Sequence, residues 1–385
     1  MTINKWTLGL AAAGVVSLAS VAQAEEQIKL TPVMTALSST TLSGYVDTSA
    51  IYRPGTGKDG GTVGQLYSVQ STTRDKQDGF NLNVVSLTLD KPLDEGTWSA
   101  GYHVQTLIGP DANGRGTGLI QPTGAQNSIA LNEAYVALRA PVGNGLDFKI
   151  GQFGTFVGYE SFDSYKNPNY SRSYGFWIEP SAHVGVTASY TFNDMISAMV
   201  GVGNAYNPPI DAKAKYESVK TYLAMVTLTA PESTGFLKGS TLSLGYDNGA
   251  PDGSNAHIEN FYAGATLATP VAGFSIGAAF DAQSAPGYDA RAYALYLTFQ
   301  ATEKLKANLR AEYASGTIGA FDAATFRADK LLGITGTLDY ALWQNVVTRA
   351  EVRWDHSLDG EKPFSATTSL QKNEVTVALN VIYKF

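Results

Sequence analysis

The residues best placed to do chemistry lie in one long connection, from Phe153 to Pro180. It carries three acids (Glu160, Asp163 and Glu179), two bases (Lys166 and Arg172) and a run of aromatics. Five more bases, Arg139, Lys149, Arg310, Arg349 and Arg353, sit in stretches of alternating polarity elsewhere in the chain. Acids on one side of a wet passage and bases on the other would set a transverse field, which orients polar solutes and sorts ions. The same residues also allow a structural reading, in which the loop packs on a wall with its charges paired. Glu133, Glu312 and Glu351 would then neutralise neighbouring bases. Phe153, Phe156, Tyr159, Phe162 and Tyr165 recur at every third position. On a helical turn they would form one stripe, either a core for the loop or a stacking track for sugar rings. Packing is the favoured reading, since an enclosed loop must bury something. Tyr159, Tyr170, Tyr174 and Trp177 make a candidate aromatic solute path, with the last three as its more exposed members.

Other chemistries lack their residues. D-A-N-G-R-G at 111–116 opens like a calcium loop, but its twelfth position is Pro122 rather than Glu. G-V-G-N at 201–204 lacks the helix that a phosphate loop needs. His103, His183, His257 and His356 have no metal-ligand spacing and read as rim or lumen residues. No local serine-hydrolase motif occurs, although a site assembled across strands stays open. The expectation is therefore no catalytic residue, no metal and no cofactor.

The elements that position these residues are strands. Lys372 to Phe385 reads K-N-E-V-T-V-A-L-N-V-I-Y-K-F, with Val375, Val377, Leu379, Val381, Tyr383 and Phe385 on one face. The other face carries Lys372, Glu374, Thr376, Ala378, Asn380, Ile382 and Lys384, because successive side chains of a strand point to opposite sides. The same alternation recurs. Leu305, Ala307, Leu309, Ala311 and Tyr313 alternate with Lys304, Lys306, Asn308, Arg310 and Glu312, and Val346, Ala350, Val352 and Trp354 with Asn345, Arg349, Glu351, Arg353 and Asp355. At 129–140, Ala134, Val136 and Leu138 alternate with Glu133, Tyr135 and Arg139. Charges on a lipid-facing side would cost about 2–4 kcal/mol each near the bilayer midplane, so these charges must face a wet interior.

Sixteen such segments can be counted, at about 41–52, 79–90, 95–107, 129–140, 145–152, 181–191, 194–204, 217–230, 236–247, 256–269, 273–283, 290–300, 303–315, 327–340, 342–355 and 372–385. Long connections alternate with short turns, and each segment can cross a bilayer when tilted, for which roughly 9–11 residues suffice. The expectation is an all-β, closed antiparallel transmembrane barrel of about sixteen strands over 41–385. Aromatics cluster near segment ends, at Tyr52, Phe80, Trp98, Tyr190, Phe192, Tyr340, Trp343, Trp354, Tyr383 and Phe385, as interfacial girdles do.

Composition agrees. There is no cysteine, charge is modest at 16 %, and 39 Gly, 21 Tyr and 16 Phe point to strands and turns. Lys5, an apolar run from Trp6 to Val21 and Ala22-Gln23-Ala24 make a secretory signal peptide over 1–24, cleaved before Glu25. Residues 25–40 would form a periplasmic lead. Removing the leader moves the formal charge from -7 to -8, and the absence of a basic cluster argues against nucleic acid.

T-L-S-G-Y-V-D-T-S-A-I-Y at 41–52, L-N-E-A-Y-V-A-L-R at 131–139, K-I-G-Q-F-G-T-F-V-G-Y-E at 149–160, N-P-N-Y-S-R-S-Y-G-F-W-I-E-P-S-A-H-V-G-V at 167–186 and G-V-G-N-A-Y-N at 201–207 resemble the OmpL-like β-barrel porin family. The resemblance implies a channel in the outer membrane of a Gram-negative-type bacterium. It passes no defined substrate and no set of functional residues to this chain. In sixteen-stranded general porins the third long loop folds inward and narrows the channel; here that loop is 153–180. The expected function is passive diffusion of small hydrophilic solutes and ions through a loop-constricted lumen, without enzyme activity, in a homotrimer embedded in the outer-membrane bilayer. A saccharide-selective channel, a secreted soluble β-sandwich and an outer-membrane enzyme are the alternatives.

Overall fold

In the last strand Val377, Leu379 and Val381 point out to solvent or lipid, while Thr376, Ala378, Asn380 and Ile382 are buried on the other side. The rest of the wall follows that two-residue period. The computed structural model describes residues 39–54, 76, 78–95, 98–115, 118–120, 128–206, 210, 212–316, 329–365 and 370–385. The expected signal peptide lies outside these residues, as does the lead up to residue 38.

Sixteen long strands form the wall: β1 (Thr41–Tyr52), β2 (Gly79–Lys91), β3 (Ser99–Gly109), β4 (Ser128–Ala140), β5 (Leu146–Gly154), β6 (Ala182–Thr191), β7 (Ile196–Gly203), β8 (Thr221–Thr229), β9 (Thr241–Gly249), β10 (Ile258–Ala268), β11 (Phe274–Ala285), β12 (Tyr288–Gln300), β13 (Leu305–Gly316), β14 (Lys330–Trp343), β15 (Val346–Ser357) and β16 (Asn373–Lys384). Each pairs antiparallel with its neighbours in sequence, and a short strand, Gly118–Ile120, adds to β4. The sheet closes where β1 meets β16, from Tyr45 opposite Lys384 to Tyr52 opposite Val377. The seam continues to Phe385, whose carbonyl accepts from Gly44 N–H at 2.9 Å and whose N–H donates to the Gly44 carbonyl at 3.0 Å. Closure removes both sheet edges, which hydrocarbon could not satisfy.

Strand count and alternation agree with the reading of the sequence, and two connections differ. Between β11 and β12 the expected longer connection is only Pro286-Gly287, because the strands continue to Ala285 and resume at Tyr288. Gly287 has φ +93°, a conformation a side chain resists, so the turn can be this tight. Between β8 and β9 the expected short turn holds a 3₁₀ segment, Glu232–Leu237. The outer belt is apolar, with Phe80, Trp98, Trp343 and Phe385 exposed near strand ends. No helix among the described residues is long and apolar enough to cross a membrane.

Candidate functional site

A loop between β5 and β6 cannot leave its backbone polar groups unpaired if it lies inside the wall. Residues 155–181 do lie there, and the wall's inward side chains supply the partners. Glu351 accepts the N–H groups of Tyr170 and Ser171 at 2.7 and 3.0 Å. Glu312 of the wall accepts from Tyr174 N–H at 2.6 Å, and Glu160, within the loop itself, accepts from Ser173 N–H at 2.8 Å. The carbonyls are taken by guanidinium groups. Arg310 donates to the carbonyl of Ser171 at 2.7 Å, Arg353 to that of Arg172 at 2.6 Å, and Arg349 to those of Ser164 and Asn169 at 3.0 and 3.2 Å. Side chains of the wall thus replace the ladder that secondary structure would have provided.

The charges form a continuous buried chain. Arg310 pairs with Glu160 of the loop at 2.8 Å and with Glu312 of its own strand at 3.1 Å. Arg353 bridges Glu312 at 3.1 Å and Asp355 at 2.8 Å, and Asp355 also accepts from the Tyr174 hydroxyl at 2.6 Å. Arg310 and Arg353 are 0 % exposed. Buried charges of this kind persist only when paired and fully hydrogen-bonded.

Farther along, Asp163 accepts from the Tyr45 hydroxyl at 3.1 Å and Gln105 at 2.9 Å, and it pairs with Lys166 at 2.8 Å. Burial works against its charge, but Lys166, Gln105 and Tyr45 together hold its carboxyl below the ordinary range. Arg172 has no carboxylate in contact among the described residues. Its guanidinium donates to the carbonyls of Phe162 and Tyr170 and lies 5.3 Å from the Phe176 ring centre, and burial pulls its pKa down. The short helix α1 (Tyr174–Ile178) is capped by Ser173, whose hydroxyl accepts from Phe176 N–H at 3.3 Å. Its last carbonyl, on Ile178, accepts from Asn260 at 2.7 Å and Gln283 at 2.8 Å. The next residue, Glu179, hydrogen-bonds through its side chain to Asp281 of β11; burial and then that acid push Glu179 well above the usual carboxyl range.

The arrangement corrects several expectations. Arg310, Arg349 and Arg353 do not face the loop's acids across water; they grip the loop directly, because a desolvated guanidinium needs acceptors on several sides. Arg139 is not among them. It forks onto Asp147 with two 2.6 Å bonds and reaches the Asp94 carbonyl beside a short turn. Lys149 stays half-exposed on the inner wall, 4.7 Å from the Tyr135 ring centre. Tyr170 and Tyr174, expected to be exposed to solute, are 3 % and 1 % exposed. They form a core with Ile51, Ile178 and Phe364, with Trp177 packed partly buried against it. Tyr159 stacks on Tyr296 at 4.3 Å.

The aromatic stripe is split. Phe153 and Phe156 join Leu223, Met225 and Tyr262, while Phe162 and Tyr165 pack against Tyr45, Val84 and Leu107. Those residues form no helix beyond a 3₁₀ turn at Ser164–Lys166.

Asp281, and the Lys76–Asp111 pair at 3.1 Å from the first two long connections, are site residues that sequence reasoning missed. An inward Asp in the otherwise uncharged F-S-I-G-A-A-F-D was the available sign for the first. Asp111 thus serves an ion pair within the calcium-like stretch, and among the described residues no group of three His, Asp or Glu is arranged to hold a metal. His183 pairs with Asp247 at 2.9 Å, buried on the inner wall, and His103 with Asp90 at 2.9 Å.

A closed sixteen-stranded barrel, apolar outside and charged inside, with residues 155–181 bound within it, defines an outer-membrane channel. The sequence matches the family described as putative beta-barrel porin-2, OmpL-like, over residues 39–385, and the chain belongs to that family. No curated protein sequence matches it. Among solved structures it is similar to the anion-selective porin from Comamonas acidovorans, at TM-score 0.60 and 14 % identity over 90 % of this chain and 99 % of that one. The outer membrane channel DcaP of Acinetobacter baumannii gives 0.57 and 12 % identity over 90 % and 97 %. The trimer form of OmpT from Vibrio cholerae gives 0.56 and 12 % over 90 % and 99 %. At these identities the similarity is one of fold. The chain is a porin of the outer membrane.

Proposed function

We propose that residues 155–181 are the constriction of this porin and that small hydrophilic solutes and ions pass it by diffusion. The observation that carries the reading is the grip on residues 169–174, whose N–H and carbonyl groups are bound by Glu351, Glu312, Arg349, Arg310 and Arg353 of the wall. A loop held at that many points stays within the lumen on the timescale of solute passage. Liposomes carrying the protein should swell in small sugars and progressively less as the solute grows. Equal rates for small and large sugars would remove the constriction.

Lys149 is an inner-wall cation with no carboxylate in contact among the described residues. Lys149→Glu should therefore move the reversal potential in a salt gradient toward cations. An unchanged potential would place this position off the conduction path.

The porin works as three copies, in a reading supported by its likeness to an OmpT trimer form. Unheated gel migration and light scattering in detergent test it, and a monodisperse monomer would reject it. The leader is removed after Ala24, supported by Ala22-Gln23-Ala24 behind an apolar run. N-terminal sequencing of the membrane form should begin at Glu25.

A further inference from the structure

The two ends of the bound loop segment are held by different chemistry. Residues 169–174 sit in a lattice of acids and arginines. The arm that leads out of it, α1 and Glu179, is held on β10 and β11 by amides and by two carboxyl groups. Glu179 is 8 % exposed and Asp281 3 % exposed, and they are hydrogen-bonded to each other. Asp281 Oδ1 has no hydrogen-bond partner among the described residues, whereas a methyl group on Gly175 would lie 2.3 Å from Asp281 Oδ2 and 3.6 Å from Glu179 Oε1. Gly158 and Gly175 leave room for the pair, since a methyl group at either would overlap a carboxyl oxygen. The titratable groups that bear on it are Glu160 from the loop and Tyr262 from β10, and no lysine or arginine among the described residues pairs with either acid.

Two carboxylates cannot hydrogen-bond to one another unless one keeps its proton, because the charged form has acceptors only. We propose that Glu179 and Asp281 form a proton-dependent clasp that positions the constriction arm, holding it on β11 while a proton is shared and releasing it when the proton is lost. This rests on the reading of residues 155–181 as the constriction. The sign follows from linkage. The clasped state binds the proton more tightly than the released state, in which both acids are hydrated and ionise in the ordinary range. Acid therefore favours the clasp, and its contribution disappears as the pH rises through the value at which the clasped pair ionises. Residues 169–174 are held separately, with Arg310, Arg349 and Arg353 on their carbonyls, so release would be confined to the arm.

The test is single-channel conductance of the full-length wild type and of Glu179→Gln in planar bilayers between about pH 5 and pH 9. The glutamine amide can still donate to Asp281 but cannot ionise. Wild type should show a conductance step on going alkaline, and the step should be lost in Glu179→Gln. Infrared spectroscopy of the folded barrel gives a second reading. A protonated-acid carbonyl band should be present at low pH, disappear across the same interval, and be missing from both Glu179→Gln and Asp281→Asn. A wild type with flat conductance and no such band overturns the clasp, as does a step that persists in Glu179→Gln. A step that moves with added calcium at constant pH would assign the pair to a cation instead and also overturn it. If folded wild type conducts no ions at all, the porin reading fails, and the infrared band still decides whether the pair holds a proton.

Discussion

Arg310→Ala should destabilise the folded barrel by about 3–5 kcal/mol, the usual cost of deleting one partner of a buried ion pair, and should raise conductance at the same time. The guanidinium donates to Glu312 at 3.1 Å, Glu160 at 2.8 Å, the Ser171 carbonyl at 2.7 Å and hydroxyl at 3.0 Å, the Arg172 carbonyl at 3.2 Å and Thr335 at 3.3 Å. Alanine leaves two buried carboxylates short of a counter-charge and frees the loop at Ser171 and Arg172. Lysine would restore the charge but not the fork, so Arg310→Lys should fall between the two. Urea unfolding of the reconstituted barrel, read beside its conductance, measures both effects. If Arg310 instead lay open to water, its removal would change stability by no more than about 0.5 kcal/mol and would alter only ion preference. That outcome would detach it from the loop.

Leu379→Arg should have the second large effect, about 2–4 kcal/mol, through an unrelated cause. Leu379 lies midway along β16, 57 % exposed on the outer face, opposite Ala50 of β1 and Ala350 of β15. A cation there meets hydrocarbon, and its small neighbours offer no acceptor. Unfolding in bilayers should show the loss, and the folded band on an unheated gel should weaken. Leu379→Phe, as apolar as the original, should leave both unchanged. Full tolerance of the arginine would mean that this face is covered by protein rather than by lipid. Asn380, one residue away and facing inward, belongs to a different environment altogether. It donates to Asp47 at 2.6 Å and accepts from Arg349 at 2.7 and 2.9 Å.

The contrast between Leu379 and Asn380 was legible in the chain before any fold was known. Alternation is a local property with a period of two, so β13, β15 and β16 could each be assigned an apolar and a charged side from their own residues. Sixteen strands and the closed sheet followed from adding those segments together. The tight turn at Pro286-Gly287 was missed because alternation reports faces and not where a strand ends.

Which charges meet is another matter. Glu160 and Arg310 are 150 residues apart, Tyr174 and Asp355 181, and Tyr45 and Asp163 118. No local pattern links such positions. Residue types alone said that acids and bases would share the interior, and they left open whether these would face one another across water or touch. The path of residues 155–181 decided that. Desolvation makes an unpaired buried charge costly, so the loop settled where carboxylates meet its N–H groups and guanidinium groups meet its carbonyls. The pairing of two acids, Glu179 and Asp281, could be found only from that path. Chain composition determined a barrel with a charged interior; three-dimensional contact determined which of those charges hold the loop and which remain open to the lumen.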